Sequence, residues 1–88
     1  MHAVVTTVTI NDQDAAERQL REQVVPGVSQ APGFVAGYWA RKGDSGLGMV
    51  IFESREAAEA VSERVPSMVP EDAVKLEGVE VREVVAHA

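Results

Sequence analysis

Few residues of this 88-residue chain have the chemistry of an active site, and their positions narrow what that chemistry is. The only imidazoles, His2 and His87, stand at the two ends, so neither a Ser-His-Asp constellation nor two metal-binding histidines four apart can be assembled. Cysteine is absent, which removes thiolate nucleophiles, disulfides and sulfur-ligated metals. What remains is a set suited to holding a small molecule: Thr7, Thr9 and Asn11, then Trp39, Arg41 and Met49. On an alternating strand the first three share one face and form a polar row able to orient a ligand hydroxyl or carbonyl. Trp39 supplies a broad apolar plane with one N–H, and a thioether such as Met49 suits a wall beside an aromatic ring. Tyr38 and Trp39 are neighbours and point to opposite faces, so one of them at most lines a given cavity. Trp39 is the candidate, because its face also carries Arg41 and Glu53 near the strand ends, where a pocket mouth admits polar groups. Each has a plainer role as well: Trp39 as a core or interface anchor, Asn11 as a helix cap, Thr7 and Thr9 as strand formers. A proton-transfer step would have only Glu53, Arg41 and His2 to draw on, and no catalytic residue is assigned.

These groups need a scaffold, and the chain is short enough for one domain only, spanning residues 1–88. At this size folding removes roughly 60% of the unfolded surface from water, so association would add substantially to the core. Apolar residues make up 45% and charged ones 25%, the balance of an ordered globular domain. Eight basic against fourteen acidic residues leave a net charge of −6, which provides no footprint for a phosphate backbone or an anionic membrane. Nucleic-acid and membrane partners are therefore not expected. "MHAVVTTVTI" lacks a basic n-region and a cleavage site and is read as a structural element, with a cytoplasmic location as the expectation. "GDSGLG" lies between strands and opens no helix, so it is a turn and not a phosphate loop. No cofactor is expected.

The elements follow from periodicity. "AVVTTVTI" is almost wholly β-branched and predicts a first strand. After Asn11 or Asp12 as cap, Ala16, Leu20 and Val24 recur every four residues along an amphipathic helix that Pro26-Gly27 should break or kink, with Val28 to Ala31 as one further turn. Strands over Phe34 to Arg41 and Leu47 to Glu53 flank "KGDSG" as a hairpin centred on Asp44. Ser54 caps a second helix with Ala58, Val61 and Val65 on one face, ended by Pro66. A loop through Pro70 leads to a last strand clearest from Val79, with Gly78 marking a bulge. Strand, helix, strand, strand, helix, strand predicts an α+β, ferredoxin-like βαββαβ fold, an antiparallel sheet with two helices on one face.

A hairpin centred on Asp44 sets Trp39 opposite Met49, Gly37 opposite Ile51 and Arg41 opposite Leu47, leaving Phe34, Ala36, Tyr38, Ala40, Gly48, Val50 and Phe52 on the other face. Both faces are mostly apolar, whereas a sheet with water on one side alternates apolar with polar. No further helix remains to cover the second face, so a second copy of the sheet is the expected cover, and a last strand of up to about fourteen residues has length to overhang and pair with it. With "PGFVAGYW" before the hairpin and "GLGMVIFES" leading into an alanine-rich helix, the chain resembles the dimeric α+β barrel superfamily, and within it the antibiotic-biosynthesis-monooxygenase group.

That resemblance implies a homodimer with a pocket between sheet and helices. It also implies a choice among cofactor-independent oxygenases of phenolic substrates, haem-degrading oxygenases, lactone isomerases and members without known chemistry. Quinone-forming relatives position substrate and oxygen with an asparagine and a tryptophan, types that Asn11 and Trp39 match. The terminal histidines count against haem ligation. The functional expectation is a protein that binds a small apolar or aromatic ligand, with cofactor-free oxygenation of a phenolic compound as its chemistry. The alternative is a non-catalytic ligand-binding or dimerisation module whose sheet-to-sheet space Trp39, Met49 and Ile51 fill.

Overall fold

A computed structural model describes residues 1–69 and 72–88. Its elements are β1 (His2–Ile10), α1 (Gln13–Gln19), a π-helical segment (Leu20–Val24), α2 (Val25–Ser29), β2 (Phe34–Lys42), β3 (Ser45–Phe52), α3 (Arg55–Met68) and β4 (Val74–Glu83). The four strands form one antiparallel sheet in the order β2-β3-β1-β4. One face is covered by α3 and by the rod made of α1, the π segment and α2. This is an α+β architecture compatible with the expected ferredoxin-like fold. Pro70, the expected end of the loop after α3, lies outside the described residues.

Both helical layers begin as the sequence predicts. Asp12, in extended conformation, caps α1 by accepting from the Ala15 N–H at 3.1 Å, and Ser54 caps α3 through the Ala57 N–H at 3.1 Å. Neither proline ends its helix. Ahead of Pro26 the rod widens, with the Val25 N–H bonded to the Leu20 carbonyl five residues back, and α2 continues to Ser29. Proline is tolerated there because it stands in the first turn after the widened segment, close to the usual N-terminal position for that residue. Pro66 lies inside α3, which runs on to Met68 and ends with the Val69 N–H on the Val65 carbonyl. It sits on the exposed side, within three residues of the helix end, so little of the ladder depends on it.

The hairpin differs from expectation by one residue. Its strands close to a two-residue turn, Gly43-Asp44, between paired Lys42 and Ser45, and Gly43 adopts φ 59°, the left-handed value that the first position of such a turn favours. Trp39 therefore pairs with Gly48 and not Met49, Tyr38 pairs with Met49, and Arg41 pairs with Gly46 and not Leu47. Because side chains alternate, this slip exchanges partners between the faces. Trp39 joins Val50 and Phe52 on the helix side, while Tyr38, Met49 and Leu47 point away from it.

Two irregularities bring apolar residues to the helix side. In β4 the pairing passes from Thr7–Gly78 to Val8–Leu76, leaving Glu77 as the extra residue of a bulge beside the predicted Gly78. Leu76 and Val79, even and odd in number, both pack on the core as a result. In β2 the extra residue is Val35, between Phe34 opposite Phe52 and Ala36 opposite Ile51. β4 spans ten residues rather than fourteen. The core is Val4, Val28, Val50, Phe52, Ala58, Val61 and Val65, with Phe34 meeting Phe52 edge to face at 6.3 Å.

Phe52 is fully buried at the centre of that cluster, whereas Asp12 acts at the surface. Phe52→Ala is expected to destabilise the fold by about 3–5 kcal/mol. Asp12→Ala is expected to destabilise it by ~1 kcal/mol. Urea denaturation followed by far-UV circular dichroism checks both.

Candidate functional site

The helices do not seal against the sheet along its whole length. A cavity of about 370 Å³ lies between them, within the range of small-molecule sites. Its floor is the even-numbered row of β1, Val4, Thr6, Val8 and Ile10, with Val50 and Trp39. The predicted stripe Ala16, Leu20 and Val24, together with Val28, forms one wall, and Val61, Val65 and Met68 of α3 form the other. The space opens at the end of the sheet where β1 finishes and the β2–β3 hairpin turns, beside Glu17 and Arg41.

Three glycines explain why there is room. A methyl group on Gly46 would stand 2.8 Å from Val8 Cγ2. One on Gly37 would stand 2.8 Å from Cη2 and 2.9 Å from Cζ3 of Trp39, and one on Gly48 3.0 Å from Cδ1 and 3.1 Å from Nε1. The indole thus lies across two strands, its benzo edge over Gly37 and its pyrrole edge over Gly48. A residue with a side chain at either place would lift the ring into the cavity.

Polar groups are few. The side-chain hydrogen bonds among the described residues leave the Trp39 Nε1–H and the Thr6 hydroxyl uncommitted. At the mouth Arg41 Nε donates to Glu17 Oε1 at 3.3 Å, joining β2 to α1, and Glu17 Oε2 also lies 3.6 Å from Arg21. Both partners of the Glu17–Arg41 pair are nearly half exposed, so the pair contributes at most ~1 kcal/mol and is easily exchanged.

Of the residues singled out from sequence, Trp39 and Arg41 line the cavity together. Thr7 and Thr9 do share a face, but it is the opposite one: Thr7 is exposed and the Thr9 hydroxyl donates to Glu77 Oε2 at 2.6 Å. Met49 is on that outer face as well. Asn11 lies past the end of β1, its backbone N–H on the Ala73 carbonyl, in a second recess with Pro66, Lys75 and Leu76. The cap role belongs to Asp12 and not Asn11. Glu53 is exposed outside the cavity, and His2 stands at the other end of β1 opposite Phe52 and Glu83, its Nδ1 buried without a hydrogen-bond partner. Sequence reasoning missed Thr6 and Glu17. Thr6 was available from alternation, since it shares parity with Val4, Val8 and Ile10. Among the described residues no group of three or more potential metal ligands occurs.

No protein-family model matches the chain, and no curated protein sequence matches it.

The glycine floor can be tested without reference to ligand. Gly37→Ala and Gly48→Ala are expected to shift the emission of Trp39, the only tryptophan, and to destabilise the protein by about 1–3 kcal/mol through overpacking. At Gly78 a methyl group meets nothing within 4 Å, and Gly78→Ala is expected to stay within about 0.5 kcal/mol of wild type with unchanged emission. Fluorescence spectra and urea midpoints measured together distinguish the two cases.

Proposed function

We propose that this protein binds a small, largely apolar molecule in the cavity between sheet and helices, and that it does so as a homodimer. The observation that carries the ligand reading is the cavity itself: about 370 Å³ of apolar wall with a flat indole on its floor and two uncommitted polar groups, Trp39 Nε1–H and the Thr6 hydroxyl. A few convergent polar groups in an apolar recess are what orient a ligand without a large desolvation penalty.

The outer face supports the dimer. Tyr38 is 69% exposed, Val35 46%, Leu47 45% and Met49 39%, with Ile51 and Val5 partly exposed beside them. These residues occupy the β2, β3 and β1 part of the face, while β4 carries Lys75, Glu80 and Arg82 on the same side. Strands of about nine residues rising ~3.3 Å each, four across at ~4.8 Å, give a footprint of roughly 30 by 19 Å. With side-chain relief that approaches the ~800 Å² per partner of a standard interface. A twin sheet is the cover that matches it in size and in chemistry, giving the dimeric α+β barrel that the sequence resembles.

Within this reading, cofactor-free oxygenation of a phenolic compound is the chemistry we favour among those of the resembled group. An electron-rich phenolate can itself reduce oxygen, and the protein's part is then to exclude water and hold both reactants close. The apolar wall and the Trp39 plane support that role. A purely binding function uses the same features and differs only in turnover.

Sedimentation at micromolar concentration is expected to give a dimer, and Tyr38→Glu with Leu47→Arg a folded monomer. A single species of monomer mass from the wild-type chain would overturn the dimer. Titration with phenols and quinones is expected to quench Trp39, with oxygen uptake on anthrone-like or catechol-like compounds separating oxygenase from binding protein.

A further inference from the structure

The mouth of the cavity carries more information than its interior. Arg41 is the one cation among the described residues that lines the cavity, and it stands where the space opens, half in contact with apolar wall and half with solvent. Its present partner, Glu17, is shared: Oε1 faces Arg41 and Oε2 faces Arg21. A carboxylate arriving from solution can take the place of Oε1 on Arg41, and Glu17 then keeps Arg21 one helical turn away as counter-ion. The exchange leaves no buried charge unpaired. It also replaces a long, half-solvated contact with one that a ligand can make from inside, in the planar geometry that a guanidinium favours.

Behind the mouth the walls are overwhelmingly aliphatic, with Val8, Ile10, Leu20, Val24, Val65 and Met68 closing round the axis and Trp39 the only aromatic. At ~30 Å³ per small group, a space of about 370 Å³ takes a body of roughly a dozen heavy atoms. We propose that the ligand is an amphipathic monocarboxylate of about that size, its carboxylate seated on Arg41 in exchange for Glu17 and its apolar body running inward over Trp39 and Thr6. This rests on the ligand-binding reading and adds the head group, its seat and its direction.

Decanoate, decanol and decylamine share one chain and differ in head group, so they serve as probes of the full-length protein, with Trp39 emission and titration calorimetry as readouts. Decanoate is expected to bind about tenfold or more tightly than decanol, and decylamine most weakly. Arg41→Ala is expected to abolish that preference by weakening decanoate about tenfold more than decanol, Arg41→Lys to restore part of it, and Glu17→Gln to tighten decanoate relative to decanol by removing the competitor. Circular dichroism confirms that the variants are folded. Equal binding of decanoate and decanol, or a preference that survives Arg41→Ala, overturns the head-group assignment while the cavity reading stands. Failure of all three probes together with phenols and quinones overturns the cavity reading itself.

Discussion

The close approach of the Trp39 indole to the backbone of Gly37 and Gly48 is the contact on which the interior of this protein depends. A tryptophan side chain standing off the sheet would take up much of the space between sheet and helices. Here it does not, because two bare positions on adjacent strands let the ring lie down on the sheet. The helices then rest on their valine rows, above Val4, Val50 and Phe52, and the remaining volume stays open towards Glu17 and Arg41. Gly46 extends the same device along β3 beneath Val8 and Ile10. Three absent side chains thus account for the cavity as fully as the residues that line it.

The two faces of the sheet divide the work. The helix side combines a dense cluster at one end with an open recess at the other, and the outer side gathers Tyr38, Leu47, Met49 and Val35 in the light of solvent. A small domain has little apolar surface to spare, and an uncovered patch of this kind is the feature on which the proposed association rests. The bulges at Glu77 and Val35 belong to the same division, since each adjusts which residues of an edge strand face inward.

Much of this was legible in the sequence, and the exceptions have physical causes. Element order, the Ser54 cap, the Ala16-Leu20-Val24 stripe, the Ala58-Val61-Val65 face and the bulge at Gly78 follow from period, capping chemistry and glycine placement. The hairpin register did not, because "KGDSG" is compatible with a centre on Asp44 or between Gly43 and Asp44. Half a residue of difference in the centre moves every cross-strand partner by one. That single ambiguity decided whether Trp39 met Met49 or Gly48, and so whether a glycine was seen beneath the indole. Thr7 and Thr9 were correctly grouped, but parity alone does not say which face the helices choose. Proline was overread twice: at Pro26 a widened turn absorbs the lost donor, and at Pro66 the helix is almost finished.

The widened turn also sets the direction of the whole rod. Residues four apart on an α-helix advance 400° at 100° per residue, so a strict four-residue stripe creeps sideways by about 40° at each step. Ala16, Leu20, Val24 and Val28 take three such steps, enough in a uniform α-helix to swing the last of them about a third of the way round the cylinder. Over Leu20–Val24 the looser winding turns less per residue and takes back part of that swing. Val28 can therefore sit 3% exposed in the core while Ala16 still looks into the mouth of the cavity. The rod behaves as a straightened seam, and its one irregular turn is the stitch that keeps both ends facing the same way.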